Sequence, residues 1–283
     1  MTDRYILTLS CPDERGIVAA VAGFLAGQDC NIIESAQFDD LESGKFFLRI
    51  RFNSEAGVDG ETLRTAFGAI ARRYTMDWQL TDAAYRPRTL LLVSKFGHCL
   101  HDLLYRHEIG ALPIDIIGIA SNHTDFQKVA EARGIPFHHI PVTKDTKAEA
   151  EAQLFDLFES ANGELVVLAR YMQVLSDDLS AKLSGRAINI HHSFLPSFKG
   201  AKPYHQAHAR GVKLMGATAH YVTADLDEGP IIEQEVIRVS HNMSADQMVA
   251  AGRDVEAIVL ARAVTWHAER RVLMNGHRTV VFR

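Results

Sequence analysis

Residues 1–83 alternate between short apolar runs and amphipathic segments, in an order that predicts β-α-β-β-α-β. The expected strands cover 5–11, 31–40, 44–53 and 76–84, and the expected helices cover 17–28 and 61–74. In the first helix, Ile17, Val21, Phe24 and Leu25 recur at helical spacing. This order predicts an α+β, ferredoxin-like domain: a split β-α-β sandwich with its helices on one face of an antiparallel sheet.

The pattern changes after the polar segment 84–88, which contains Pro87 and separates two complete patterns. Residues 89–93 form an apolar run without alternation, as expected for a parallel strand that is covered on both faces. Strand and helix patterns then alternate, which predicts a doubly wound, mostly parallel α/β domain over 89–283 whose ligands bind at the carboxyl ends of the strands. The expected strands are 89–95, 114–121, 136–140, 164–169 and 187–190, and the expected helices are 100–107, 124–134 and 147–160. After these elements we expect two strands around an acidic loop, a helix over 244–270 and a hairpin at Asn275-Gly276.

Composition and charge narrow the functional class. The 283 residues favour two domains, and 47% hydrophobic with 23% charged residues is typical of a soluble globular protein. A formal net charge of −5 gives no reason to expect nucleic acid or an anionic membrane as partner, and no apolar run reaches the roughly 18 residues of a membrane span. Three widely spaced cysteines indicate reduced thiols in a cytoplasmic protein.

The chemistry is concentrated where the strand 187–190 ends. Asn189 and His191 are two residues apart and therefore point to the same side of the strand. At the carboxyl end of a buried strand, an amide and an imidazole can both donate hydrogen bonds to one developing oxyanion. Buried polar groups also serve purely structural purposes, so the pair alone does not identify a reaction.

A second polar element is the acidic loop 223–230, which contains Asp225, Asp227 and Glu228. A carboxylate brought opposite Asn189 and His191 would complete a base-plus-oxyanion-donor set for attack on an acyl carbon. The alternatives are a solvated acidic turn and a metal site. Because neither HxxxH nor HExxH spacing occurs, we expect no metal.

Residues 189–207 (NIHHSFLPSFKGAKPYHQA) and 216–234 (GATAHYVTADLDEGPIIEQ) resemble the formyltransferase fold that handles 10-formyltetrahydrofolate. The resemblance implies that Asn189, His191 and Asp227 form the catalytic centre. Residues 168–176 (LARYMQVLS) resemble the loop whose backbone holds the pterin. The substrate-binding residues that the resemblance implies are Met172, Val174, Leu175, Ala224, Asp225 and His205, while the roles of His192 and Lys202 stay open.

The segment after the first strand of the second domain distinguishes transfer of the formyl group to an acceptor from its hydrolysis by water. Residues 93–104 (VSKFGHCLHDLL) contain a single glycine and lack the Ser-Asn phosphate cradle of glycinamide ribonucleotide formyltransferases. With the extra N-terminal domain, the chain resembles the formyltetrahydrofolate deformylase family over its whole length. That resemblance implies hydrolysis to formate and tetrahydrofolate, which supplies formate for purine synthesis, with water as nucleophile, Asp227 as base and no cofactor. A formyltransferase acting on an amine and a non-catalytic folate-binding regulator are the alternatives.

The N-terminal domain resembles the ACT domain, on the Asp13-x-x-Gly16 turn and the Asn31-Ile32 start of the second strand. The resemblance implies a homo-oligomer that binds an amino-acid effector, glycine or methionine, at these four residues. The alternative is a module that serves oligomerisation only.

Overall fold

The computed structural model describes residues 3–195 and 203–283. The described chain divides into two compact units, one formed by residues up to 85 together with 269–283, the other by residues 86–268. The first boundary lies within the predicted linker. The prediction that the closing hairpin belongs to the second domain is wrong, because residues 269–283 pack with the first unit.

The first unit contains the predicted succession of elements. It consists of β1 (Asp3–Pro12), α1 (Ile17–Gly27), β2 (Cys30–Asp40), β3 (Lys45–Ser54), α2 (Gly60–Arg73) and β4 (Asp77–Asp82). Its sheet has the order β2-β3-β1-β4, and every pair of neighbouring strands is antiparallel. The apolar faces of both helices pack on the sheet around Val21, Phe52 and Phe67, which are almost fully buried. Burial of these side chains removes apolar surface from water and is the main term that stabilises this unit.

The second unit is a mostly parallel α/β layer structure, as predicted. Its elements are β5 (Arg88–Val93), α3 (His98–Glu108), β6 (Asp115–Ser121), α4 (Gln127–Glu131), β7 (Phe137–His139), α5 (Lys147–Ser160), β8 (Leu165–Leu168), α6 (Asp177–Lys182), β9 (Ala187–His191), α7 (Pro203–Arg210), β10 (Leu214–Tyr221), β11 (Ile231–Arg238) and α8 (Ala245–Ala268). Among the described residues the sheet order is β11-β10-β9-β8-β5-β6-β7, parallel from β9 to β7 and antiparallel at β10 and β11. Over the described ranges, no helix has the length and apolar content to cross a membrane.

Strand order determines where this unit can bind a ligand. The chain order reverses between β5 and β8, so the crossover connections leave a crevice at the carboxyl ends of these strands. Strand β9 lies beside β8 and is parallel to it, so its carboxyl end, at His191, opens on the same edge. The sheet therefore directs the end of β9 toward the expected ligand crevice.

Two short helices were not predicted, and one predicted helix is shorter than expected. Helix α6 begins after Ser176, whose side-chain oxygen accepts a hydrogen bond from the Leu179 amide at 3.3 Å. Helix α7 begins at Pro203, a residue favoured in the first helical turn, but its polar sequence PYHQAHAR lacks an apolar stripe. The helix expected over 124–134 is reduced to α4, of five residues.

The closing hairpin consists of β12 (Val272–Asn275) and β13 (Arg278–Val281), joined at the predicted Asn275-Gly276 turn. Polar contacts explain why it belongs to the first unit. The Asn275 amide donates a 2.6 Å hydrogen bond to Asp40 Oδ2, and Arg49, which is 2% exposed, donates to the Glu269 carbonyl at 3.1 Å. Arg49 also pairs with Glu34 at 2.9 Å. Because a buried guanidinium needs several acceptors, residues 269–283 complete the polar side of this sheet.

We expect Asn275→Ala to lower the free energy of unfolding by roughly 1–3 kcal/mol, since it leaves the buried Asp40 carboxylate without its amide donor. Thermal and urea unfolding monitored by circular dichroism measure this loss. His277→Ala, an exposed change in the same hairpin, is the matched control and should leave stability unchanged. Equal stability of Asn275→Ala and wild type would contradict this account of the hairpin.

Candidate active site

The pairing of β9 with β10 brings the side chains of Asn189 and His220 together. The antiparallel register places His220 directly opposite Asn189, so the two side chains lie on the same face of the sheet. His220 Nδ1 lies 2.8 Å from the Tyr221 carbonyl, which can only accept, so this nitrogen carries a proton. In the neutral imidazole the other nitrogen, Nε2, accepts from the Asn189 amide at 3.3 Å, whereas in the protonated imidazole Nε2–H faces Asp227 Oδ1 at 3.7 Å. His220 therefore holds the Asn189 amide in one orientation.

The acidic loop after β10 brings Asp227 to the same place. A Cβ on Gly229 would lie 1.8 Å from the Tyr221 carbonyl oxygen, so only glycine permits this close return of the loop. Asp227 itself adopts a left-handed backbone conformation, with φ of 56°, which aspartate tolerates better than most residues. Its Oδ2 lies 3.1 Å from His191 Nδ1, and its Oδ1 lies 3.7 Å from His220 Nε2. The three predicted catalytic residues thus meet at one point.

The electrostatics of this cluster keep Asp227 ionised. Burial alone would raise the pKa of the Asp227 carboxyl, but hydrogen bonding to His191 and His220 outweighs it and holds the pKa well below its usual range. His191 is 5% exposed, and its Nε2 has no hydrogen-bond partner among the described residues. A buried imidazole nitrogen without a protein partner is available to a bound substrate or water. Protonated His191, paired with Asp227, would present Nε2–H as a donor.

A pocket of about 250 Å³ surrounds these groups. The predicted substrate-binding residues that line it are Met172, Val174, Leu175, Ala224 and Asp225. Met172 and Val174 are half-exposed, as is Leu226, which also lines the pocket and was not predicted. Exposed apolar side chains beside polar catalytic groups are typical of a site that binds a partly apolar ligand. His205 was expected to line the same cleft, but it is exposed on α7 and is not among the lining residues.

Ser94, at the end of β5, holds the loop that carries Met172. The Ser94 amide donates to the Arg170 carbonyl at 3.2 Å, and the Met172 amide donates to Ser94 Oγ at 3.1 Å. The hydroxyl in turn donates to Asn122 Oδ1 at 2.6 Å. These bonds connect the pocket loop to the ends of β5 and β6. Ser94 was not among the predicted site residues.

The turn after His191 is held from the neighbouring strands. Thr218 Oγ1 donates to the Ser193 carbonyl at 3.0 Å and accepts from the Leu195 amide at 3.1 Å. His192 lines the pocket, with its ring centroid 5.2 Å from that of His191. Burial and the nearby Arg170 lower the pKa of His192 to about 4, so this imidazole is neutral at pH 7. Lys202 and the rest of the LPSFKG segment lie outside the described residues.

A buried carboxylate that the sequence analysis did not single out lies behind the pocket. Glu256 on α8 is 1% exposed; it accepts from Tyr204 Oη at 2.7 Å and contacts His98 Nε2 at 2.7 Å and Arg170 Nε at 3.3 Å. Burial would raise the pKa of Glu256, but the hydrogen bond with His98 and the charge of Arg170 lower it below its usual value. The signal for it in the sequence is the spacing of four residues between Gly252 and Glu256 in AAGRDVE (250–256).

One group of described residues has the composition of a metal site. Ligand atoms of His98, Cys99 and Glu256 lie within 4.8 Å of one another. However, the Arg170 guanidinium already neutralises this carboxylate, and burial raises the pKa of the Cys99 thiol well above its usual value. Both features oppose cation binding. The raised pKa also makes the Cys99 thiol a poor nucleophile.

The four residues proposed for effector binding lie in the first unit. Asp13 and Gly16 belong to the turn between β1 and α1, where the Asp13 amide donates to the Gly44 carbonyl at 2.9 Å. Asn31 and Ile32 are exposed near the start of β2, an edge strand of the sheet. An effector role for these residues stays a prediction.

Comparison with known proteins identifies the relatives of this chain. The family model described as formyl transferase matches residues 87–264. A protein of Corynebacterium sp. (strain P-1) named formyltetrahydrofolate deformylase is 54% identical over 99% of this chain and 98% of its own length. A crystal structure of formyltetrahydrofolate deformylase from Burkholderia mallei is 58% identical, with a TM-score of 0.95 over 99% of this chain and 100% of that one.

A crystal structure of a formyltetrahydrofolate deformylase from Pseudomonas syringae gives a TM-score of 0.97 at 47% identity, over 100% of this chain and 95% of that chain. These likenesses include both units, whereas the formyl transferase model covers only residues in the second. Sequence identity of this level over the full length places the chain in a single family, that of the formyltetrahydrofolate deformylases.

Proposed function

We propose that the chain hydrolyses 10-formyltetrahydrofolate to formate and tetrahydrofolate, with Asn189, His191 and Asp227 as its catalytic residues. The observation that carries this proposal is the convergence of an amide, an imidazole and an ionised carboxylate in one pocket with an apolar rim. That set can position a water molecule, stabilise an oxyanion and accept a proton at a formyl carbon. The membership of the deformylase family supports the substrate and the reaction.

In this proposal, the two oxyanion donors are the Asn189 amide and His191 Nε2–H. His220 engages the Asn189 amide nitrogen, which carries two hydrogens, and so leaves one for the substrate. His191 donates from Nε2 when it is protonated, and in that form its Nδ1–H faces Asp227 Oδ2 at 3.1 Å. Both donors stand in place before the reaction, so that no reorganisation is required as charge develops on the formyl oxygen.

Water attacks the formyl carbon and loses a proton to the Asp227 carboxylate, while protonated His191 keeps both of its protons. Asp227 Oδ2 faces His191, whereas Oδ1 is 3.7 Å from His220 and is the oxygen left to hold the water. The low pKa keeps Asp227 ionised but makes the isolated carboxylate a weak base. The proton that Asp227 accepts therefore passes on readily to N-10, the leaving nitrogen. Collapse of the tetrahedral intermediate breaks the bond to N-10, which receives the proton, and releases formate.

The pocket rim supplies the remaining contacts of the proposal. Met172, Val174 and Leu175 are placed to cover the pterin, while Ala224 and Asp225 lie on the opposite loop. The hydrolysis needs only folate substrate and water, so the proposed function includes no cofactor. It would supply formate for purine synthesis in the cytoplasm.

For the first unit we propose a regulatory role as an ACT-like module that binds glycine or methionine. Its strand order β2-β3-β1-β4 and its helices on one face support this assignment. The edge strand β2 exposes Ile32, Ile33 and Phe38, which is consistent with pairing of two chains in a homo-oligomer. Deformylation drains the one-carbon pool, so an amino-acid product of that pool is a reasonable controlling ligand.

Incubation of the protein with 10-formyltetrahydrofolate, without an acceptor amine, should release stoichiometric formate and tetrahydrofolate. We expect Asp227→Asn to lower this rate by at least about 10²-fold, because it removes the charge that supports proton transfer. Asp156→Asn, an exposed carboxylate on α5, is the control and should retain the wild-type rate. Substrate binding without formate release would favour the alternative, a formyltransferase that requires an amine.

The pH dependence of hydrolysis should change when His220 is replaced. His220 lowers the pKa of Asp227, so in His220→Asn burial raises that pKa and the carboxylate is protonated at a higher pH. We expect kcat to start falling at a higher pH in this variant than in wild type, when both profiles are extended down to about pH 3. If kcat falls at the same pH in the variant as in wild type, His220 does not lower the pKa of Asp227, whatever the loss in kcat.

Equilibrium dialysis of the intact protein with labelled glycine and methionine tests the regulatory proposal. We expect saturable binding of one of them, and weaker binding by Asn31→Ala, because Asn31 is one of the exposed polar groups of the proposed site. Glutamate serves as the control ligand. No saturable binding of either amino acid would remove the effector hypothesis and leave oligomerisation as the role of the unit.

A further inference from the structure

Glu256 joins three segments of the second unit that are far apart in sequence. His98 follows β5, Arg170 follows β8, and Tyr204 belongs to α7, the first element described after residue 195. All three side chains contact the two oxygens of this one carboxylate, at 2.7, 3.3 and 2.7 Å. Both oxygens of Glu256 are thus engaged, as a buried ionised group requires.

The contacts continue from this carboxylate to the catalytic histidine. Arg170 and His192 both line the catalytic pocket, whereas Glu256 does not. The Tyr204 ring meets the His192 ring edge to face, at 6.2 Å between centroids, and the His192 ring lies 5.2 Å from that of His191. A displacement of Tyr204 would therefore reach His191 through one intervening side chain, that of His192.

Helix α8 is shaped to hold Tyr204. Gly252 precedes Glu256 by four residues and lies on the same face of the helix. A Cβ at Gly252 would lie 2.2 Å from Tyr204 Cζ, so the aromatic ring rests directly on the helix backbone while Glu256 accepts its hydroxyl. The spacing Gly-x-x-x-Glu thus fixes both the plane and the polar end of this ring.

A purely structural role would be met more simply by apolar residues. Burial of a carboxylate with a guanidinium is costly, and an apolar replacement of similar volume is often as stable. A charged cluster provides what apolar residues cannot, because its polar contacts fix the orientation of the side chains that make them. The directions here are those of Arg170 and Tyr204, the two partners that reach the pocket wall and His192.

We propose that Glu256 is a positioning residue for deformylation, which aligns His192 and His191 through Arg170 and Tyr204 without touching the substrate. This inference rests on the proposed hydrolysis and on His191 as an oxyanion donor. It predicts that the turnover rate, rather than substrate binding, depends on Glu256. The apolar rim that would hold the pterin belongs to other segments of the pocket.

The test compares Glu256→Gln, Tyr204→Phe and the double variant in the formate-release assay. We expect each single change to lower kcat by about 10–10²-fold, since small misplacements of catalytic groups have effects of this size. KM for 10-formyltetrahydrofolate should change less than about twofold. Because Tyr204 acts through its hydrogen bond to Glu256, the double variant should be little slower than Glu256→Gln alone.

Two controls separate positioning from folding and from the mechanism itself. Asp40→Asn alters another buried, hydrogen-bonded carboxylate, in the first unit, and should keep the wild-type kcat. Rates are normalised to the folded fraction, which is measured by circular dichroism. If this normalisation restores the kcat of Glu256→Gln and Tyr204→Phe to the wild-type value, the inference is wrong. A raised KM at wild-type kcat would also overturn it. A fully active Glu256→Gln beside an inactive Asp227→Asn would remove only the role of Glu256, whereas a fully active Asp227→Asn would remove the proposed mechanism.

Discussion

The register between β9 and β10 is the constraint on which the rest of the site depends. It sets Asn189 against His220 and His191 against Thr218, so that one antiparallel pairing orients two of the proposed catalytic side chains and anchors the following turn. Side chains alternate along a strand, and a shift by one residue would turn Asn189 and His191 toward the other face of the sheet. The crevice at the switch point between β5 and β8 would then remain, but the side chains of Asn189 and His191 would no longer face it.

The second unit buries two carboxylates and keeps both ionised by different means. Asp227 lies between two imidazoles on a loop that is partly open to the pocket, so its surroundings can exchange protons with a substrate. Glu256 lies deeper, between a guanidinium, an imidazole and a phenol, and its oxygens are already occupied. Burial disfavours the charged form of each group, and the polar partners outweigh it in both cases. The difference in access to the pocket separates a group suited to reaction from one suited to alignment.

Much of this architecture could be predicted from the pattern of residues. Apolar runs without alternation indicated parallel strands, and the spacing of Asn189 and His191 indicated a shared face at a strand end. The pairing of His220 with Asn189 could not be predicted, because register between strands distant in sequence is determined by packing. Helix α7 was missed because its polar residues carry no periodic signal, and Glu256 because its partners come from three separate segments. The closing hairpin was recognised, but its place depends on long-range bonds such as that from Asn275 to Asp40.

That hairpin makes the second unit a topological insertion within the first, because the chain leaves the first unit after residue 85 and returns to it at residue 269. Synthesis proceeds from the amino terminus, so the β2-β3-β1-β4 sheet can form on the ribosome long before residues 269–283 emerge. During that interval the guanidinium of Arg49 lacks its carbonyl acceptor on Glu269, and Asp40 lacks the amide of Asn275. The polar side of the early sheet is then incomplete, and the final contacts of the first unit form only after the whole of the inserted unit has been made. Maturation of this sheet is thereby linked to the synthesis of the inserted unit.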